Sequence, residues 1–180
     1  SRLETMGWTI IVGSFRENRP SVGITDAARD RGFATFLVDT KSPFSPGSVL
    51  QLRGFLVQHG VDVLATHGYK PNFIGYLAIR GLAVNQVPIV RGYTAEDRKV
   101  RLYEQMDRIF LRSFDRVLCV SEGTRRRMIG HGLRPDRIQV LQNAVNVVRE
   151  VQPIDLRKEF HLPPASQVVV AAGRLSPEKG

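Results

Sequence analysis

Seven runs of strand length, at residues 8–12, 35–38, 61–65, 87–90, 116–120, 137–141 and 168–172, alternate along the chain with segments of helical period. Val168, Val169, Val170, Ala171 and Ala172 form the plainest of them, an unbroken apolar run of the kind that a parallel sheet buries on both faces. A sheet with one wet face would show strict alternation instead. Parallel neighbours need a crossover, and the crossovers here read as helices. The pattern therefore predicts an α/β architecture, an open, doubly wound parallel sheet with helices on both faces. At 180 residues, 42% hydrophobic and 24% charged, the chain has room for one ordinary domain or parts of two.

The clearest helix begins at Thr94, where Thr94-Ala95-Glu96-Asp97 is a variant capping box with Asp97 in the usual place of Glu or Gln. Val100, Tyr103, Met106, Phe110 and Phe114 follow at spacings of three and four, which predicts one buried face. Further helices are predicted over 46–59, 71–83 and 122–131, with Gly60 and Gly132 as breakers after two of them. Residues 1–6 and Gly7 read as the last turn of a helix and its C-cap, so a first strand is expected before Ser1. After Asn143 the text turns polar and proline-punctuated, with one short helix around 155–160 before the final run. This divides the chain into a domain over 1–150 and, over 151–180, a linker with the start of a second domain. A fragment cut at both ends is the expectation.

The formal charge of +9 asks for an acidic partner: nucleic acid, an anionic membrane surface or a phosphate-bearing small molecule. Its densest patch is Arg125-Arg126-Arg127, followed by Arg134 and Arg137, and the ordinary reading of such a run is a solvated face. No zinc-finger spacing, heptad repeat or ribonucleoprotein signature accompanies it, so no nucleic acid is expected. The single cysteine, Cys119, lies inside a strand-like run and is expected as a buried small hydrophobe without a disulfide. No apolar run approaches the roughly 18 residues of a membrane span, and no basic-then-apolar leader opens the chain, which gives a cytoplasmic expectation.

In an open parallel sheet ligands sit beyond the carboxyl ends of the strands, where helix N-termini aim unpaired N–H groups at anions. The run at 61–65 leads into Thr66-His67-Gly68-Tyr69-Lys70, and the run at 87–90 into Arg91-Gly92-Tyr93-Thr94-Ala95-Glu96. Ser121 and Glu122 follow the next run, Gln142 and Asn143 the one after, and Gly173 and Arg174 the last. Polar and basic groups thus gather at one edge, as a phosphate or sugar site requires.

The stretch DRVLCVSEGTRRRMIGHGLRPDRIQVLQNAVN (115–146), followed by VVVAAGRLSPEKG (168–180), resembles the middle of a retaining glycosyltransferase of the GT-B fold, the large group 1 or family 4 type. The resemblance covers roughly residues 60–180, and the first 60 fit by pattern. It implies a Rossmann-like N-terminal domain and the first strand of a second such domain, and transfer of a sugar from a nucleotide-diphosphate sugar, with retention, to a saccharide or lipid-linked acceptor. Arg174 and Lys179 match the family's Gly-Arg and Lys-Gly pair, which steadies the charge growing on the departing diphosphate. His67 matches a first-domain histidine by the cleft, where a neutral imidazole can hydrogen-bond a sugar hydroxyl. Many relatives carry a histidine at the next strand end. This chain reads Arg91-Gly92-Tyr93-Thr94 there, which leaves open what contacts the donor sugar, with Thr94 and Glu96 as candidates. Ser121, Glu122, Asn143 and Gly173 complete the expected cleft residues. No Asp-x-Asp pair occurs, and neither a metal nor a resident cofactor is expected. Without the family's glycine-rich loop and Glu-x7-Glu segment, this stretch is expected to be inactive alone. Two other readings stand beside it: a nucleotide-sugar 2-epimerase on the same architecture, and a non-enzymatic basic module that docks on anionic membrane or nucleic acid. On the transferase reading the arginine run is expected to tune peripheral attachment to the inner face of a membrane.

Overall fold

The computed structural model describes residues 3–16, 23–40, 45–93, 98–144 and 154–170. Six strands lie among them: β1 (Ile11–Arg16), β2 (Ala34–Asp39), β3 (Val63–His67), β4 (Asn85–Val90), β5 (Val117–Cys119) and β6 (Ile138–Val140). Every pairing is parallel. β1 pairs with β2, and β3, β4, β5 and β6 form a four-stranded sheet in chain order. Helices α1 (Ile24–Arg29), α2 (Pro46–Gln58), α3 (Tyr69–Ala78), α4 (Arg98–Phe110) and α5 (Glu122–Gly130) make the connections, as the alternation in the sequence demands.

Two apolar clusters hold these layers. Leu52 and Leu56 of α2 and Ile74 and Ala78 of α3 bury themselves with Val38 of β2, and Phe15 of β1 and Leu64 of β3 pack against them. The second cluster joins Val90, Val117, Cys119 and Ile138 of the four-stranded sheet to Leu111 and Met128. Cys119 is a free, fully buried thiol, as expected.

Pairing moves several strands relative to their apolar runs. β1 begins three residues later than residue 8 and takes in Gly13 and Ser14, because its register with β2 runs from Ile11 opposite Ala34 to Arg16 opposite Asp39, and Trp8 is left half-exposed. β3 likewise extends to His67, and β4 starts at Asn85. Pro88 is tolerated in β4 because β5 meets that strand only at Ile89 and Val90, so no ladder bond needs the missing N–H.

The predicted face of α4 needs correction. Residues 94–97, the proposed capping box, lie outside the described residues, and the helix is seen from Arg98. Phe114 is buried beyond a 3-10 turn at Leu111–Ser113, but Met106 is 37% exposed while Glu104 and Asp107 are only 4% and 5% exposed. The buried stripe of α4 thus includes two carboxylates.

Contacts divide the chain into residues 1–143 and 144–180. Within the second unit a short helix, α6 (Leu156–Glu159), is capped by Asp155, whose side chain accepts from the Arg157 N–H. The final run does not form a strand among its described residues: Val168, Val169 and Val170 are unpaired, and the last two are 92% and 71% exposed. A both-faces-buried strand exists only with neighbours, and none of the described residues supplies one.

Candidate functional site

The parallel register aligns the carboxyl ends of β3, β4, β5 and β6 along one edge of the sheet, and four of the predicted positions lie there. His67 is the last residue of β3, opposite Ile89. Gly68 then caps α3, whose first two residues, Tyr69 and Lys70, present backbone N–H groups before Pro71, which has none. Arg91 immediately follows β4. Partial burial first, and the Arg91 guanidinium second, hold the His67 imidazole below its ordinary value of 6.5, so the ring is neutral at physiological pH. A neutral imidazole both donates and accepts, which suits it to a sugar hydroxyl. Lys70 places its ammonium 5.0 Å from the centre of the Phe15 ring, so the carboxyl end of β1 borders the same site.

Beneath this edge lies a buried polar chain that the sequence reading missed. The Thr66 hydroxyl, one residue before His67, donates to Asn72 Oδ1 at 2.7 Å and accepts from Gln86 Nε2 at 3.2 Å. Asn72 Nδ2 donates to Asp107 Oδ1 at 2.8 Å, and the Tyr93 hydroxyl donates to Asp107 Oδ2 at 2.9 Å. Asp107 therefore fastens α3 and the segment after β4 to α4. Desolvation raises its pKa, while the bonds from Asn72 and Tyr93 oppose that rise. Burial, and then the Asp107 charge, push the Tyr93 hydroxyl far up, so it remains a donor. The Arg108 guanidinium lies 4.6 Å from the centre of the Tyr93 ring. One signal for this arrangement was present: Glu104, Asp107 and Leu111 stand at i, i+3 and i+7, one helical face.

The remaining predicted residues divide. Ser121 caps α5, its Oγ accepting from the Thr124 N–H at 3.1 Å, and Glu122 pairs with Arg125 at 2.9 Å. Both lie at the carboxyl end of β5, already engaged in helix capping and a surface pair. Asn143 is exposed past the end of β6. Thr94, Glu96, Gly173, Arg174 and Lys179 lie outside the described residues. Among the described residues no three His, Cys, Asp or Glu side chains converge as a metal cage, and no helix is long and apolar enough to cross a membrane.

Comparison with solved structures gives the same architecture. HepE from Anabaena, in complex with UDP-glucose, superposes with a TM-score of 0.66 at 14% identity, over 84% of this chain and 42% of that one. A glycosyltransferase from Rickettsia africae matches with a TM-score of 0.63 at 18% identity, covering 91% and 44%. The apo form of the lipopolysaccharide outer core galactosyltransferase WaaB matches at 0.55 and 10% identity, covering 78% and 47%. The chain thus spans under half the length of these enzymes, and its fold is that of the N-terminal half of GT-B glycosyltransferases. No curated protein sequence matches it. The family model for Glycosyltransferase Family 4 matches residues 1–149, and the chain accordingly belongs to that family, whose members transfer sugars from nucleotide-sugar donors.

Proposed function

We propose that residues 1–150 form the acceptor-side domain of a transferase that moves a sugar, with retention, from a nucleotide-diphosphate sugar to a saccharide or lipid-linked acceptor. Residues 151–180 then supply the linker and the start of the donor-binding domain. The observation that carries this reading is His67: a neutral imidazole at a strand's carboxyl end, beside a helix N-terminus and the cation Arg91. A sugar hydroxyl is the partner such a group suits. Arg174 and Lys179 are assigned to the diphosphate, where negative charge grows as the glycosidic bond opens, and Thr94 and Glu96 to the donor sugar. No resident cofactor enters this account.

The test is a donor screen by thermal shift on the full-length protein, followed by a transfer assay with the donor that binds. Arg174→Ala or Lys179→Ala should lower turnover by about a hundredfold to a thousandfold, the usual loss for one such group. Turnover of the donor without any acceptor would instead identify an epimerase. Unchanged transfer in both variants would remove the assigned cations from the reaction.

A further inference from the structure

At the opposite end of the four-stranded sheet from His67, where the chain enters β5 and β6, a cavity of about 190 Å3 is lined by Arg112, Arg134 and Arg137 over a floor of Leu111, Val117 and Leu133. Val117 is the first residue of β5, and Arg137 immediately precedes β6. We propose that this cavity is a second ligand site, one that binds a phosphate-bearing anion.

The arginines are held in place without being used up. Arg112 Nη2 donates to the His131 carbonyl at 2.6 Å, and Arg137 Nη1 makes two long contacts, each 3.4 Å, to the carbonyls of Arg112 and Phe114. Each guanidinium has five N–H donors, so most remain for a ligand. Arg134 is forked onto Asp136 through Nε and Nη2 at 3.1 and 2.7 Å, which leaves its Nη1 outside that pair. Three guanidinium groups and the one Asp136 carboxylate leave a formal charge of +2 at the site. Gly132 permits the arrangement: its φ is +88°, and a Cβ there would stand 3.1 Å from Arg112 Nη2.

A planar fork fixed by backbone carbonyls matches the tetrahedral oxygens of phosphate, and the apolar floor leaves those oxygens few competing partners. At about 190 Å3 the cavity has room for a phosphate group and for part of what it is attached to. The ligand chemistry is common to a free phosphate ester and a phospholipid headgroup. The proposal does not depend on the sugar-transfer reading, since no residue is shared with that site.

Phenylglyoxal modification of the full-length protein, mapped by mass spectrometry, tests the site without any substitution. Inorganic phosphate at constant ionic strength should protect Arg112, Arg134 and Arg137 and leave Arg126 and Arg127 reactive. In calorimetry the pair Arg134→Gln and Arg137→Gln should weaken phosphate binding by about tenfold or more, the worth of one charged hydrogen bond. Arg126→Gln with Arg127→Gln removes the same charge outside the cavity and should have little effect. Sedimentation with phosphatidylcholine vesicles, with and without phosphatidic acid, separates the sources. Capture that depends on Arg134 and Arg137 identifies a headgroup, and protection by phosphate without capture identifies a small phosphate ester. Equal losses from the two double variants, or no protection of the three arginines, would overturn the proposal.

Discussion

Removing the Asp107 carboxylate should be among the most damaging single changes available to this unit. Asp107→Ala strands two donors at once. Asn72 Nδ2, in a residue 1% exposed, loses its acceptor at 2.8 Å, and the half-buried Tyr93 hydroxyl loses its acceptor at 2.9 Å. A buried donor without a partner costs about 1–3 kcal/mol, so the pair sums to roughly 2–6 kcal/mol. Against a typical domain stability of about 5–15 kcal/mol, that is a large fraction. Urea unfolding followed by tryptophan fluorescence or circular dichroism measures it. The single change Tyr93→Phe, which removes one donor and leaves Asn72 bonded, should cost less. In the Asp107→Ala background it should cost almost nothing, because the acceptor is already gone. The pH profile adds a check on sign. Asp107 has a folded-state pKa raised by desolvation, so the folded protein binds its proton more readily than the unfolded chain. Its contribution to stability is then greatest below the ordinary carboxylate value and is lost as pH climbs through the raised one. Asp107→Asn should abolish that part of the profile. Parallel profiles for wild type and Asp107→Asn, with Asp107→Ala costing under about 0.5 kcal/mol, would refute the network as a structural clamp.

Two further outcomes follow from the same edge of the sheet. Gly75→Ala would place a Cβ 2.8 Å from Gln86 Nε2 and 3.0 Å from Leu64 Cδ2, so either α3 or the buried Gln86 side chain, bonded to Thr66 and Asn72, would have to shift. A loss of about 1–3 kcal/mol in urea unfolding is expected, and a neutral result would mean that one of the two shifts freely. His67, with its pKa lowered below 6.5, binds its proton less readily in the folded protein. The neutral form should therefore survive into mildly acidic solution, and the stability it contributes should fall only as pH drops through that window. Titration of its ring proton by NMR checks the value directly, and a midpoint at or above 6.5 would remove the physical basis for its assignment to a sugar hydroxyl.

The alternation of strands and helices was legible because each element depends on residues near one another in the chain. Gly7 after the first 3-10 turn was assigned by local chemistry alone, whereas Ser121, read as a cleft residue, caps α5. Strand limits were less so. β1 occupies Ile11–Arg16 because parallel partners at Ala34–Asp39 select that register, and nothing in its own residues favours it over residues 8–12.

The polar clamp was hidden for a different reason. Asp107 reads as a solvated residue on a charged helix until Asn72 arrives from 35 positions away and Tyr93 from 14. A hydrophobic stripe announces burial by its composition. A buried carboxylate announces it only through partners, since its cost alone in an apolar interior would exclude it. The side of α4 that carries Glu104 and Asp107 was therefore missed, in favour of an apolar stripe whose Met106 is exposed. Thr66, one residue before His67, donates a hydrogen bond to the same network through Asn72. In this unit the residues that tie α3, α4 and the segment after β4 together are those for which local pattern carries the least information.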